Sequence, residues 1–103
     1  MVDFTRELRV AIDTGKVVIG TKETLKQLRM GKPKMIILAA NCPEEIRIEI
    51  EYFSKLAHVP VYVYPGSSLD LGQVCKRRHM VVALAILDPG DSNILGLVEG
   101  GEE

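Results

Sequence analysis

The chain is poor in the residues that usually carry chemistry. Its 103 residues include two cysteines, two histidines, two phenylalanines, three tyrosines and no tryptophan. Cys42 and Cys75 lie far apart with no C-x-x-C spacing. Two histidines cannot complete a zinc set around them. They read as free, mostly buried thiols in a reducing compartment. A catalytic triad needs a base, and only His58 and His79 are available, neither with a nucleophile nearby in sequence. No apolar run is long enough to span a membrane, which speaks against membrane partners. Met1-Val2-Asp3-Phe4 lacks the basic-then-apolar pattern of a signal peptide, so the expected place is the cytoplasm. No G-x-G-x-x-G follows a strand. Gly15-Lys16-Val17-Val18-Ile19-Gly20-Thr21-Lys22 fails as a P-loop, because the order is Thr-Lys and the residues between the glycines form a strand. These absences exclude ATP, GTP and dinucleotide binding. The expectation is a protein without cofactor, metal or catalysis.

What is present is an ordinary folded composition, 47% hydrophobic and 26% charged, enough for one domain. A net charge of −1 argues by itself against a nucleic-acid binder, but the charge is unevenly placed. Residues 1–40 hold eight Lys/Arg against four Asp/Glu, and residues 41–103 hold five against ten. Lys16, Lys22, Lys26, Arg29, Lys32 and Lys34 are opposed only by Glu23 between them, and Lys76-Arg77-Arg78 forms a second cluster. Folding that joins the two clusters would give one basic face on a neutral protein. Otherwise both are solvated surface charge.

The pattern along the chain alternates helix and strand. Phe4, Leu8, Ala11 and Ile12 predict a helix over 4–14, with Asp3 as N-cap and Gly15 as stop. Val17-Val18-Ile19 is a β-branched strand. Gly20 ends it, Thr21 caps a second helix, and Gly31 stops that helix after about Met30, with Leu25 and Leu28 facing the core. The run 35–40 is apolar throughout, as in a strand buried on both faces. Asn41-Cys42-Pro43-Glu44-Glu45 opens a third helix, with Pro43 in the first helical position, that buries Ile46, Ile50, Phe53 and Ala57. His58 serves as its C-terminal cap. A strand over 61–64, a turn, a short helix over 69–75, a strand over 80–87, a turn at 88–92 and a helical element over 93–98 complete the order. Asp88 and Asp91 are turn residues around Pro89-Gly90. Residues 1–98 form one domain, and 99–103 are an acidic tail that should fray. The alternation predicts an α/β fold, a sheet between helix layers.

The segment Val17 to Lys26 is the most informative. A helix N-terminus offers free N–H groups and a partial positive charge to anions. Lys22 and Lys26 strengthen that dock. Glu23 between them does not suit a plain phosphate site, but a carboxylate can accept hydrogen bonds from a base edge. Lysine, carboxylate and bare glycine backbone together point to structured RNA. Asn41 follows a central strand, where open α/β sheets place ligands, and it also suits an Asx cap of the third helix. In Lys76-Arg77-Arg78-His79-Met80-Val81, cations can grip phosphates and His79, Met80 or Val81 can stack on an unpaired base. The same segment also reads as a plain loop into a strand. Cys42 at a helix start is a candidate for a lowered pKa, with no base or resolving cysteine beside it.

The pattern Val17–Lys26, then Lys34 to Pro43, then Leu71-Gly72, then Asp88-Pro89-Gly90-Asp91-Ser92 resembles the L-thirty-e family of large-subunit ribosomal proteins. The likeness runs from Phe4 to about Val98 without a large insertion and is nearer the archaeal form. That family belongs to the kink-turn RNA-binding superfamily, with the L-seven-Ae proteins. The resemblance implies a three-layer α/β/α sandwich with a four-stranded mixed sheet, and a structural, non-catalytic protein on a kinked internal loop of ribosomal RNA. It implies neighbouring ribosomal components as partners, and the free chain is expected to be a monomer. By the same resemblance Gly20 would let the RNA approach, Lys22 and Lys26 would meet phosphates and base edges, Asn41 would make a polar contact near sheared G·A pairs, and His79, flanked by Arg78 and Met80, would meet an extruded or neighbouring base; Thr21, Glu23 and Arg77 complete the expected RNA-binding set. The established kink-turn readers carry Asn-Glu where this chain has Lys22-Glu23, so its RNA selectivity is expected to differ. The alternative is a protein-interaction module of the same fold using an acidic helix face, Glu44, Glu45 and Glu49 with Tyr52.

Overall fold

The longest buried strand lies at the centre of the sheet. The computed structural model describes residues 4–96, in the order α1 (Phe4–Thr14), β1 (Lys16–Ile19), α2 (Thr21–Arg29), β2 (Met35–Leu38), α3 (Glu44–Ala57), β3 (Val61–Val63), α4 (Ser68–Val74) and β4 (Ala83–Asp88). Residues 94–96 are also helical. The sheet order is β1-β4-β2-β3, with β4 antiparallel to β1 and β2, and β2 parallel to β3. β1, β2 and β3 therefore run the same way and finish at one end of the sheet, where β4 begins.

Strand alternation sorts the core into two layers. Ile36, Leu38, Ala83 and Ala85 meet Leu28 of α2 and Ile50 of α3 on one face. Met35, Ile37, Leu84 and Ile86 meet Leu8 and Ala11 of α1 and Leu71 and Val74 of α4 on the other. Both faces of β2 are covered, which is why 35–38 is apolar without interruption. Phe4 stacks on Tyr62 at 4.2 Å between centroids, and the Tyr64 hydroxyl lies 3.1 Å from Thr5 Oγ1, fixing α1 over β3. The result is the expected α/β/α sandwich with a four-stranded mixed sheet.

Several local expectations are corrected. Gly20, not Thr21, is the α2 N-cap, and Pro43 is the α3 N-cap rather than its first helical residue. β2 ends at Leu38, and β4 starts at Ala83, three residues later than the apolar pattern suggests. Residues 77–82 are held as a loop over α4 instead: the Val81 N–H donates to the Ser68 carbonyl (3.0 Å) and the Arg77 N–H to the Gly72 carbonyl (2.9 Å). Gly72 permits this passage, because a Cβ there would collide with the His79 carbonyl. α4 begins at Ser68, with Ser67 and Asp70 forming a reciprocal capping box. His58 caps α3 in the left-handed region (φ 58°), as its position suggests, and Gly31 (φ 68°) terminates α2. At the end of the sheet away from Gly20, the Gly90 N–H donates to Asp88 Oδ1 and the Asp91 N–H to Thr14 Oγ1, both at 2.9 Å, so Asp88 closes β4 and its side chain holds the turn in which Asp91 stands. The expected Asp3 cap, residues 97–98 and the acidic tail lie outside the described residues.

Candidate nucleic-acid interface

Four segments meet at the end of the sheet where β1, β2 and β3 finish, and backbone hydrogen bonds lace them together. The Gly20 N–H donates to the Ala83 carbonyl (2.9 Å), and the Ala39 N–H to the Val82 carbonyl (2.8 Å). The Ala40 N–H donates to the Gly66 carbonyl at 2.9 Å. Asn41 closes the set, because its Oδ1 accepts from the Ser68 N–H (2.7 Å) and its Nδ2 donates to Ser68 Oγ (3.3 Å). Gly20, Asn41 and the 77–82 loop, distant in sequence, thus form one rim.

Gly20 sits at φ 112° and ψ 147°, a conformation open to glycine alone. A Cβ there would meet nothing within 4 Å, so the backbone faces open space. No side chain caps α2 by a hydrogen bond. Thr21 is half-buried in the first turn, while Lys22, Glu23 and Lys26 are exposed. Across the rim Arg77, Arg78 and His79 are exposed, His79 Nδ1 lies 3.2 Å from the Met80 carbonyl, and Met80 is 63% exposed. Among the described residues no carboxylate pairs with Lys22, Lys26, Arg77 or Arg78. A helix terminus without a side-chain cap, on a rim that also carries the exposed Lys22, Lys26, Arg77 and Arg78, an apolar methionine and a ring, can take a phosphate backbone and stack an unpaired base.

The structure also divides the basic clusters. Lys16, Lys32 and Lys34 stand at the opposite end of the sheet, where Lys16 pairs in register with Asp88 and the Lys34 N–H donates to the Ile86 carbonyl. A strand length, roughly 15 Å, separates them from Gly20. Arg29 lies over the Phe53 ring at 5.3 Å and 3.6 Å from Glu49. Lys76 turns away to Asp13 at 3.1 Å. The basic face is therefore smaller than the sequence count suggests. Val81 is 2% exposed and leaves the apolar platform to His79 and Met80.

Asn41 does not cap α3; both halves of its amide are committed to Ser68. Sequence reasoning missed Ser68, although an Asn after a central strand and a Ser-Ser turn were both visible. Cys42 does not have an acidic thiol. Burial raises its pKa more than Arg47 lowers it, and Glu51 adds to the rise. Burial pushes Cys75 up to about 11. Among the described residues no three His, Cys, Asp or Glu side chains gather as a metal site, and no helix is long and apolar enough to cross a membrane.

Residues 3–96 match the family described as Ribosomal protein L7Ae/L30e/S12e/Gadd45. A protein of Methanopyrus kandleri named Large ribosomal subunit protein eL30 is 52% identical over 103 residues, covering 100% of this chain and 94% of its own. A protein of the same name from Pyrobaculum neutrophilum is 58% identical over 99 residues, covering 96% and 98%. A third, from Methanocaldococcus jannaschii, is 44% identical over 103 residues, covering 97% and 94%. Among solved structures, a Bacillus halodurans protein of unknown function superposes with a TM-score of 0.81 at 19% identity, covering 95% of this chain and 97% of that one, which bears on the fold alone.

Proposed function

The chain belongs to the Ribosomal protein L7Ae/L30e/S12e/Gadd45 family, and from that premise we propose that the laced end of its sheet takes hold of a kinked internal loop of ribosomal RNA. Its work in the large ribosomal subunit, in the cytoplasm, is structural: it positions RNA and transforms nothing. The observation that carries the reading is the uncapped start of α2 behind an open glycine, ringed by cations with no internal partner. Lys22, Lys26, Arg77 and Arg78 meet phosphates. Glu23 accepts from a base edge, guanine above all, because a carboxylate is an acceptor and can take the N–H groups that a base edge offers. His79 and Met80 support an unstacked base. Asn41 acts chiefly by holding the rim in shape.

The test is binding to a short kinked internal-loop RNA and to a duplex of equal length, across several salt concentrations. Preference for the loop is expected, with a log–log salt slope of roughly −3 to −5 for four to six neutralised phosphates. Equal, weak binding to both RNAs refutes the site.

A further inference from the structure

The outer face of α3 has no part in the core or the RNA rim. Ile46, Ile50, Phe53 and Ala57 of this helix pack inward on the sheet. Ile48, Tyr52 and Leu56 point the other way, 57, 61 and 63% exposed. Four-residue spacing aligns them as one ridge about 12 Å long. Single exposed apolar residues are ordinary, but an aligned ridge with an aromatic at its middle has the composition of an interface core. The ridge runs into a groove of about 350 Å³ between the C-terminal halves of α2 and α3, where Leu56 and Phe53 face Leu28 and Met30.

Charge selects the occupant. With Glu49 paired to Arg29 at the groove, α3 still carries Glu44, Glu45 and Glu51 against Arg47 and Lys55. An RNA backbone would be repelled there. A second copy laid on the same face would set glutamates against glutamates, and residues 99–103 of this chain are acidic too. We propose that the Ile48–Tyr52–Leu56 ridge and its groove form a docking surface for a basic segment of another ribosomal protein, one that inserts apolar side chains between its lysines and arginines. The assignment rests on the chain's place in the ribosome. RNA is held at the start of α2 and protein along α3, so one small domain joins the two.

The test is photo-crosslinking in assembled ribosomes with Tyr52→p-benzoylphenylalanine, and in parallel with the same photoprobe at Lys22. The expected adduct at position 52 is to a protein stretch richer in Lys/Arg than in Asp/Glu. Adding Leu56→Glu, at a site exposed enough to leave folding intact by circular dichroism, should reduce it at least tenfold while RNA affinity holds. An adduct to ribosomal RNA, to a second copy or to an acidic stretch, or no adduct, overturns the proposal. The Lys22 probe separates the two readings: an RNA adduct there with failure at 52 sinks only the docking surface. Success at 52 without RNA at 22 sinks only the RNA rim.

Discussion

α2 and α3 start at the same end of the sheet, after β1 and β2, and neither has a side-chain cap. Yet one start invites an anion and the other does not. α3 opens with Pro43, which has no N–H to lose, followed by Glu44 and Glu45, whose charges answer the helix dipole from within. α2 opens with a glycine at φ 112° and sets Lys22 beside Glu23 in its first turn, so one charge answers the dipole and the other opposes it. In the free protein that lysine is mildly unfavourable. The comparison teaches that a helix terminus becomes an anion site through what its first turn leaves unanswered.

The strongest way to break the contrast is to give α2 the first turn of α3. Lys22→Glu removes one phosphate contact and adds a repulsive charge, so affinity for the kinked RNA should fall ten- to a hundredfold at about 1.4 kcal/mol per decade. The thermal midpoint should hold or rise, since the dipole gains about 0.3–1 kcal/mol. Unchanged affinity at matched salt removes Lys22 from the site. Next in size is Gly20→Ala. No atom blocks the new methyl group, so its cost is the backbone conformation alone, about 1–3 kcal/mol. Both the melting temperature and the RNA affinity should drop; a variant as stable as the parent would show that the φ is not needed.

Asn41→Ala should act differently from Lys22. It strips Ser68 of two partners and should cost about 1–2 kcal/mol of stability, with RNA affinity declining alongside. Loss of affinity with full stability would make Asn41 a base reader instead. This residue marks the limit of what the sequence showed. Elements, layers and the central strands were legible, because β-branched runs and helical spacing are local signals. So was Gly20-Thr21-Lys22-Glu23 as a strand-to-helix turn. The end of the 77–82 loop was not: Met80-Val81-Val82 is strand-like by composition, yet the Arg77–Gly72 and Val81–Ser68 bonds hold the segment over α4, where Gly72 leaves it room. The fate of Lys76 was equally hidden, since its pairing with Asp13 spans 63 positions, beyond any local pattern.

On the α3 side, Glu44→Gln with Glu45→Gln should cost about 0.3–1 kcal/mol per residue in chemical denaturation and leave RNA affinity within twofold. A comparable loss of RNA binding would mean that the two helix starts act together rather than in contrast.

Thiol reactivity gives the finest reading of the same difference. Cys42 lies just before Pro43, where a helix start alone would acidify a thiol, but burial dominates and raises its pKa. A raised thiol pKa means less thiolate at any pH below it. Alkylation of Cys42 should therefore be slower than that of a free thiol at neutral pH, and its rate should climb only above the usual thiol range. Cys75, pushed up to about 11, should stay silent over that window. Thr21→Cys in a Cys42→Ser background puts the same reporter at the start of α2, beside Lys22 and the uncapped N–H groups. There the local charge favours thiolate, and the rate at pH 7 should exceed that of Cys42 several-fold, falling toward it when Lys22→Glu is added. Equal rates at the two starts, with or without that change, would mean that the lysine and the bare terminus create no local field, and the contrast between the helices would then rest on shape alone.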